Sequence, residues 1–246
     1  MITAATVEGF CSAVLRKHFD DAVETPDFHR TVWEYCCDKA SFVAIAAPRG
    51  HAKSTVVTHA YTLACLLFRE RSYAIIVSET VSQSVQFLGD IKKELLDNDD
   101  LRELFGIGEL LKDTEDDLIC RMEDGHTFRV QAKGAEQKVR GLKWKAKRPD
   151  LILCDDLEGD EAVLNKERRD KFKRWVNGAL LPCRSTNGIV RVVGTILHLD
   201  SFLEGLMPER QVGHSRLKSI VNEPLMQYTT IKTPWKSIKF RAHTED

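Results

Sequence analysis

The sequence predicts an α/β fold, a mostly parallel central sheet flanked by helices. Three observations carry this. Short continuous apolar runs recur at SFVAIAA (41–47), YAIIVS (73–78), LILCDD (151–156) and GIVRVVGT (188–195), the pattern of strands buried on both faces. Segments of helical periodicity alternate with them, as parallel strands require. Three chemically loaded sequences, PRGHAKST, DDLE and GTILH, sit at the carboxyl ends of three of these strands, where open α/β sheets bind ligands.

Taken in order, Val7, Phe10, Cys11, Val14, Leu15 and Phe19 fall at helical spacing and predict an amphipathic N-terminal helix. A second helix is expected over 28–39, before the 41–47 strand. The loop PRGHAKS leads into an apolar helix over 55–68. The 73–78 strand precedes a helix over 81–97. The stretch LDNDDLRELFGIGELLKDTEDD is acidic, carries two glycines and reads as a surface excursion. LICRM, the turn EDGH and TFRVQA form a hairpin. Residues 133–149 are basic and loop-like, and a charged helix covers 161–176 after the 151–156 strand. Weaker strands are expected near 216–221 and 237–242.

The chain has 246 residues, 43% hydrophobic and 30% charged, which excludes a disordered chain and a disulfide-stapled scaffold. Lys and Arg number 36 against 37 Asp and Glu, so any nucleic-acid contact must come from local patches. The seven cysteines form no C-x-x-C pair and mostly lie in apolar runs, as expected of reduced core thiols in a cytosolic protein. The eight histidines lack zinc-ligand spacing. No apolar run approaches the roughly 18–20 residues of a membrane span, and the first ten residues lack the pattern of a signal peptide.

Strand 41–47, its loop and the following helix form the context of a phosphate-binding loop, with backbone N–H groups and the helix dipole aimed at an anion. Its candidate residues are Pro48, Arg49, Gly50, His51, Ala52, Lys53, Ser54 and Thr55. Lys53 would reach the β- and γ-phosphates of ATP, and Ser54 would place its hydroxyl on Mg²⁺. The pattern is degenerate, because Ala47 and Ala52 stand at the two expected glycine positions. A Ser54 helix cap beside a solvated Lys53 is the plainer alternative.

LILCDD feeds a buried strand into two carboxylates. Asp155 fits the metal-holding acid expected at the end of a strand beside the phosphate-loop strand. A second carboxylate should activate water. Asp156 occupies the usual position and Glu158 lies two residues on, and the longer reach of Glu158 puts it slightly ahead. The acids also suit a plain helix cap.

PRGHAKST, VRG (139–141), RPDLILCDDLE (148–158) and VVGTILHLDSFL (192–203) together resemble the large subunit of tailed-phage terminases, over about residues 28–245. The resemblance implies an ASCE-type P-loop ATPase that packages double-stranded DNA into a procapsid. It implies Mg²⁺ and ATP as cofactors, a homo-oligomeric ring on the portal, and the portal protein and small terminase subunit as partners. The host cytoplasm, docked on the procapsid, is the implied location. Carried over by residue, Lys53, Ser54 and Thr55 match the phosphate loop and Asp155 the metal acid. Gly194, Thr195 and His198 match the coupling motif. Arg49, in cis, and Arg140, across a subunit boundary, compete as the arginine that meets transition-state charge. The chain departs from the family at Ala52 and Asp156 and has no glutamine upstream of the loop, where His29 is the candidate to meet the base.

KVRGLKWKAKR (138–148) interleaves basic residues with Trp144 and no acid, suiting a phosphate backbone. Lys138, Lys143, Lys145, Lys147 and Arg148 are its candidate DNA contacts. NKERRDKFKRW (165–175) is a second basic run, equally readable as a solvated helix face. A superfamily-2-like nucleic-acid-dependent ATPase and a catalytically weak nucleotide-dependent assembly module are the competing functions. The expected organisation is one ATPase domain over 1–246, with a helical segment over about 1–40 and no C-terminal nuclease.

Overall fold

A computed structural model of the chain describes residues 2–18, 25–207 and 234–240. Helix α1 (Ala4–Phe10) starts at a Thr3 cap and runs on through a π turn (Cys11–Leu15) and a 3-10 turn (Arg16–His18). Val7, Phe10, Cys11, Val14 and Leu15 form its buried stripe, and Phe19 lies outside the described residues. Then come α2 (Asp27–Cys36), β1 (Phe42–Ala46), a π-helical segment (Thr55–Tyr61) continuing as α3 (Thr62–Leu67), β2 (Tyr73–Ser78) and α4 (Val81–Asp97).

The acidic stretch after α4 is more regular than expected. The Asn98 side chain accepts from Leu101 N at 3.0 Å and starts α5 (Asp99–Phe105). Gly106, at φ +61°, ends that helix. β3 (Ile107–Thr114) then pairs antiparallel with β4 (Asp117–Met122). β3 is a mostly exposed edge strand, so its side chains carry little of the apolar alternation that marks a strand.

β5 (Thr127–Gly134) completes the hairpin, and the basic loop leads to β6 (Leu151–Asp155). The charged helix is broken at Asn165, whose side chain accepts from Arg168 N at 3.2 Å, separating α6 (Asp160–Leu164) from α7 (Lys166–Trp175). A π turn (Val176–Leu180) and a 3-10 turn (Leu181–Cys183) lead to β7 (Ile189–Gly194), followed by α8 (Phe202–Gly205) and β8 (Lys236–Lys239). The strand expected near 216–221 lies outside the described residues.

The strands form one eight-stranded sheet in the order β3-β4-β5-β2-β6-β7-β1-β8, antiparallel across β3-β4-β5 and parallel elsewhere. This corrects one expectation: β6 is not beside β1, because β7 lies between them. Side-chain alternation divides the core into two layers. Val43, Ile45, Leu151, Leu153 and Val193 face the helices up to α5, while Ala44, Ala46, Ile152, Cys154 and Val192 face the basic loop, α7 and α8.

A buried arginine ties the first layer together. Arg191, in β7, is 1% exposed and donates to Cys36 O at 2.7 Å, Asp38 O at 2.9 Å and Ala40 O at 3.0 Å. These carbonyls lie at and just beyond the carboxyl end of α2, where the helix dipole is negative and a cation is favoured. All seven cysteines are free and six are buried, and burial pushes Cys65 up to about 12. They are packing residues. Among the described residues no helix is long and apolar enough to cross a membrane.

Candidate active site

The loop from Pro48 to Ser54 leaves β1 at Ala47 and turns sharply twice. Gly50 has φ +80° and Ala52 has φ +49°, both left-handed. The backbone therefore takes a glycine-like conformation at position 52, which costs an L-residue about 1–2 kcal/mol. Strain of this kind persists where the surroundings over-determine the backbone. Here the adjacent Lys53 is held on both sides. It is 7% exposed, and its Nζ donates to Pro48 O at 2.9 Å and to Thr195 Oγ1 at 3.1 Å. Thr195 Oγ1 in turn donates to Ala47 O at 3.3 Å. The lysine thus bridges its own loop and the end of β7.

The helix after the loop lies over the sheet on the first-layer side. Alternation along β6 sends Asp155 to that face, after Leu151 and Leu153. Thr58 Oγ1, on the π-helical segment, donates to Asp155 Oδ2 at 2.6 Å, so the helix spans the intervening β7. Asp155 is fully buried, and its Oδ1 has no hydrogen-bond partner. Burial raises its pKa from 3.8 to about 6, opposed by the Thr58 and Ser54 hydroxyls and by Lys53, and reinforced by Asp156. A buried carboxylate oxygen without a partner, with a hydroxyl nearby, is the oxygen-rich setting a hard divalent cation takes. Among the described residues no group of three or more His, Cys, Asp or Glu forms a cage.

Asp156 leaves the strand at φ +43° and turns the other way. Its Oδ1 accepts from Thr195 N at 2.9 Å. Gly194 permits this approach, since a Cβ there would stand 3.0 Å from Asp156 Oδ1 and 3.2 Å from Leu203 Cδ2. Glu158 is engaged elsewhere: Oε1 accepts from Phe202 N at 2.9 Å and Oε2 from Leu203 N at 3.2 Å. Burial raises its pKa, against the pull of those N–H groups and of Lys173 and Arg169. It joins the acid loop to the start of α8.

The remaining candidates spread out from this centre. Arg49 is exposed and pairs with Asp160 at 3.0 Å. Arg140 is exposed and donates to Gly178 O at 2.8 Å. His51 Nδ1 lies 3.1 Å from Arg49 O, and its ring meets Phe28 edge-on at 5.5 Å. His29 sits against Phe28 and Trp33, and desolvation lowers its pKa. His198 Nδ1 accepts from Asp200 N at 2.9 Å within the turn after β7, away from the Lys53 cluster's hydrogen bonds. The motifs in the sequence leave Thr58 unmarked. Its signal there is the four-residue spacing from Ser54, which places both hydroxyls on one side of a helix.

The basic loop packs on the second-layer face. Trp144 meets Tyr73 edge-on at 6.2 Å, and Val139 is buried. Trp144 and Lys147 exchange two 2.9 Å backbone hydrogen bonds around Lys145 (φ +48°) and Ala146 (φ +62°), a tight reversal that projects from the face. Lys138, Lys143 and Lys147 are exposed and make no ion pair among the described residues. Lys145 donates to Thr127 Oγ1 and covers the Trp144 ring, and Arg148 donates to Pro182 O at 3.0 Å. On α7, by contrast, Arg169 and Lys173 pair with Asp200 at 2.9 and 2.7 Å, and Lys171 with Glu136 at 2.7 Å. Those cations are spent on the chain itself.

No protein-family model and no curated protein matches the sequence. Solved structures do match. One is a mutant large terminase ATPase domain of Thermus phage P74-26, 16% identical, covering 88% of this chain and 82% of that one at a TM-score of 0.58. A second structure of that domain is 17% identical, covering 76% and 72% at 0.55. The large terminase of bacteriophage HK97 is 16% identical at a TM-score of 0.54. The match covers 84% of this chain and 40% of that one. At these identities the likeness is one of fold. The chain has the P-loop α/β fold of phage large-terminase ATPase domains.

Proposed function

We propose that this chain is an ATP-hydrolysing motor domain that drives double-stranded DNA into a phage procapsid. The observation that carries the reading is the meeting of Lys53, Thr195, Thr58 and Asp155 at the carboxyl edge of a sheet with that fold. In this reading Pro48 to Thr55 receive the phosphates, and the Lys53 ammonium exchanges Pro48 O and Thr195 Oγ1 for phosphate oxygens. Ser54 and Asp155 would hold Mg²⁺, which when bound neutralises charge on the phosphates.

Asp156 takes the proton of the attacking water. What supports it over Glu158 is that Asp156 commits one oxygen, to Thr195 N, whereas Glu158 commits both to backbone N–H groups. Because Thr195 touches both Lys53 and Asp156, its position responds to both ends of the phosphate site. Gly194, Thr195 and His198 then pass that response to the turn bonded through Asp200 to α7. Arg140 acts across a subunit boundary and Arg49 within the chain, the latter released from Asp160. The loop residues Lys138, Lys143, Lys145, Lys147 and Arg148 grip the DNA backbone without reading bases. The portal protein, the small terminase subunit and further copies in a ring are the assembly partners, in the host cytoplasm on the procapsid.

The test is ATP turnover at high protein concentration, with and without duplex DNA, with Lys53→Ala as the control. DNA-stimulated turnover abolished by Lys53→Ala is expected. Nucleotide binding without turnover in either condition would sink the motor reading.

A further inference from the structure

The hydroxyl of Thr58 is spent in an unusual way. A threonine inside a helix ordinarily donates back to the carbonyl one turn earlier or points to solvent. Thr58 is fully buried and donates instead to Asp155 Oδ2 at 2.6 Å, across 97 residues of sequence. The other oxygen, Oδ1, is buried and has no partner. The two oxygens of one carboxylate are therefore unequal: one is tied down, and the other is held in reserve. The bond to Oδ2 also sets a barrier to rotation about Cβ–Cγ, since turning the carboxylate breaks it.

We propose that Thr58 is a positioning residue that fixes the Asp155 carboxylate, so that Oδ1 faces the Ser54 side as a ligand for the divalent cation accompanying the nucleotide. The inference rests on the nucleotide-site reading above and assigns a role outside the phosphate-loop sequence. Ser54 and Thr58 divide the work between neighbouring helical turns, the first hydroxyl serving the cation and the second serving the carboxylate. Groups that orient a metal ligand typically change metal affinity by roughly 10–100-fold when removed. The side chain packs among buried residues, so Thr58→Val keeps its shape and deletes only the hydroxyl, and Thr58→Ser keeps the hydroxyl.

The test is binding of a fluorescent ADP analogue to the whole chain, titrated with Mg²⁺ and repeated in EDTA. Thr58→Val should raise the Mg²⁺ midpoint at least about tenfold and leave affinity in EDTA within about twofold, while Thr58→Ser keeps the wild-type midpoint. In an Asp155→Asn background, Thr58→Val should add no further shift. An unchanged midpoint in a folded Thr58→Val variant overturns the proposal. So does equal weakening with and without Mg²⁺, the mark of a purely structural role. If Thr58→Val fails to fold, Thr58→Ser decides, and a tenfold shift there counts against the role. A wild-type chain whose ADP binding ignores Mg²⁺ overturns the nucleotide-site reading itself, and Thr58 with it. That result differs from failure at Thr58 alone because wild type and Asp155→Asn would then behave alike.

Discussion

Replacing Asp155 with asparagine should stabilise the ligand-free chain at neutral pH. The carboxylate is fully buried, with one oxygen unpartnered, and burial raises its pKa from 3.8 to about 6. Between those values the folded chain keeps a proton that the unfolded chain has lost. Stability therefore falls as pH rises through that window, and the cost is complete above about 6. At about 1.4 kcal/mol per pH unit, the gap from 3.8 to about 6 amounts to about 3 kcal/mol. Asparagine has nearly the same shape and carries no charge to desolvate. In urea denaturation, Asp155→Asn should gain up to about 3 kcal/mol at a pH of about 7.5 and only about 1 kcal/mol at about 4.5. The same variant should lose Mg²⁺-dependent nucleotide binding, so stability and function move in opposite directions. No gain near neutral pH, or an equal gain at both pH values, would refute the reasoning.

Four further expectations follow from the geometry. Ala52→Gly should raise stability by up to about 1 kcal/mol, because relief of the left-handed strain exceeds the added chain entropy. A lower urea midpoint would show that the φ of +49° carries no penalty. Asp156→Asn should abolish ATP turnover and keep nucleotide binding. Glu158→Gln should mainly destabilise the chain, by about 1 kcal/mol through a weakened helix start, and the reverse pattern in turnover assays would return the base role to Glu158. Replacing Lys138, Lys143 and Lys147 together with alanine should reduce the slope of log affinity for duplex DNA against log salt by about 3. Lys171→Ala, which breaks a pair with Glu136, should leave the slope unchanged. An unaltered slope in the triple variant would remove this loop from the DNA path.

Most of the strands were legible because their signal is local. LILCD and YAIIVS are continuous apolar runs of strand length, and such runs are buried on both faces of a parallel sheet. β3 was not legible, since in this mostly exposed edge strand only Ile107 and Leu110 pack on the core, and the adjacent Leu110 and Leu111 break the apolar alternation. The break at Asn165 is not marked by glycine or proline: helix-compatible residues flank it in α6 (DEAVL) and α7 (KERRDKFKRW), and the Asn165 side-chain cap separates them.

At the site, the sequence by itself determined the strand–loop–helix around Lys53 and the two carboxylates after a buried strand. These are features of contiguous residues. Only the tertiary structure decided which acid has a spare oxygen, that β7 stands between β1 and β6, and that Thr58 holds Asp155. Each depends on hydrogen bonds between residues far apart in the chain, made because the sheet order and the alternation of side chains bring particular faces together. A pattern of residue types fixes which groups are present; the strand order fixes which of their lone pairs are already taken.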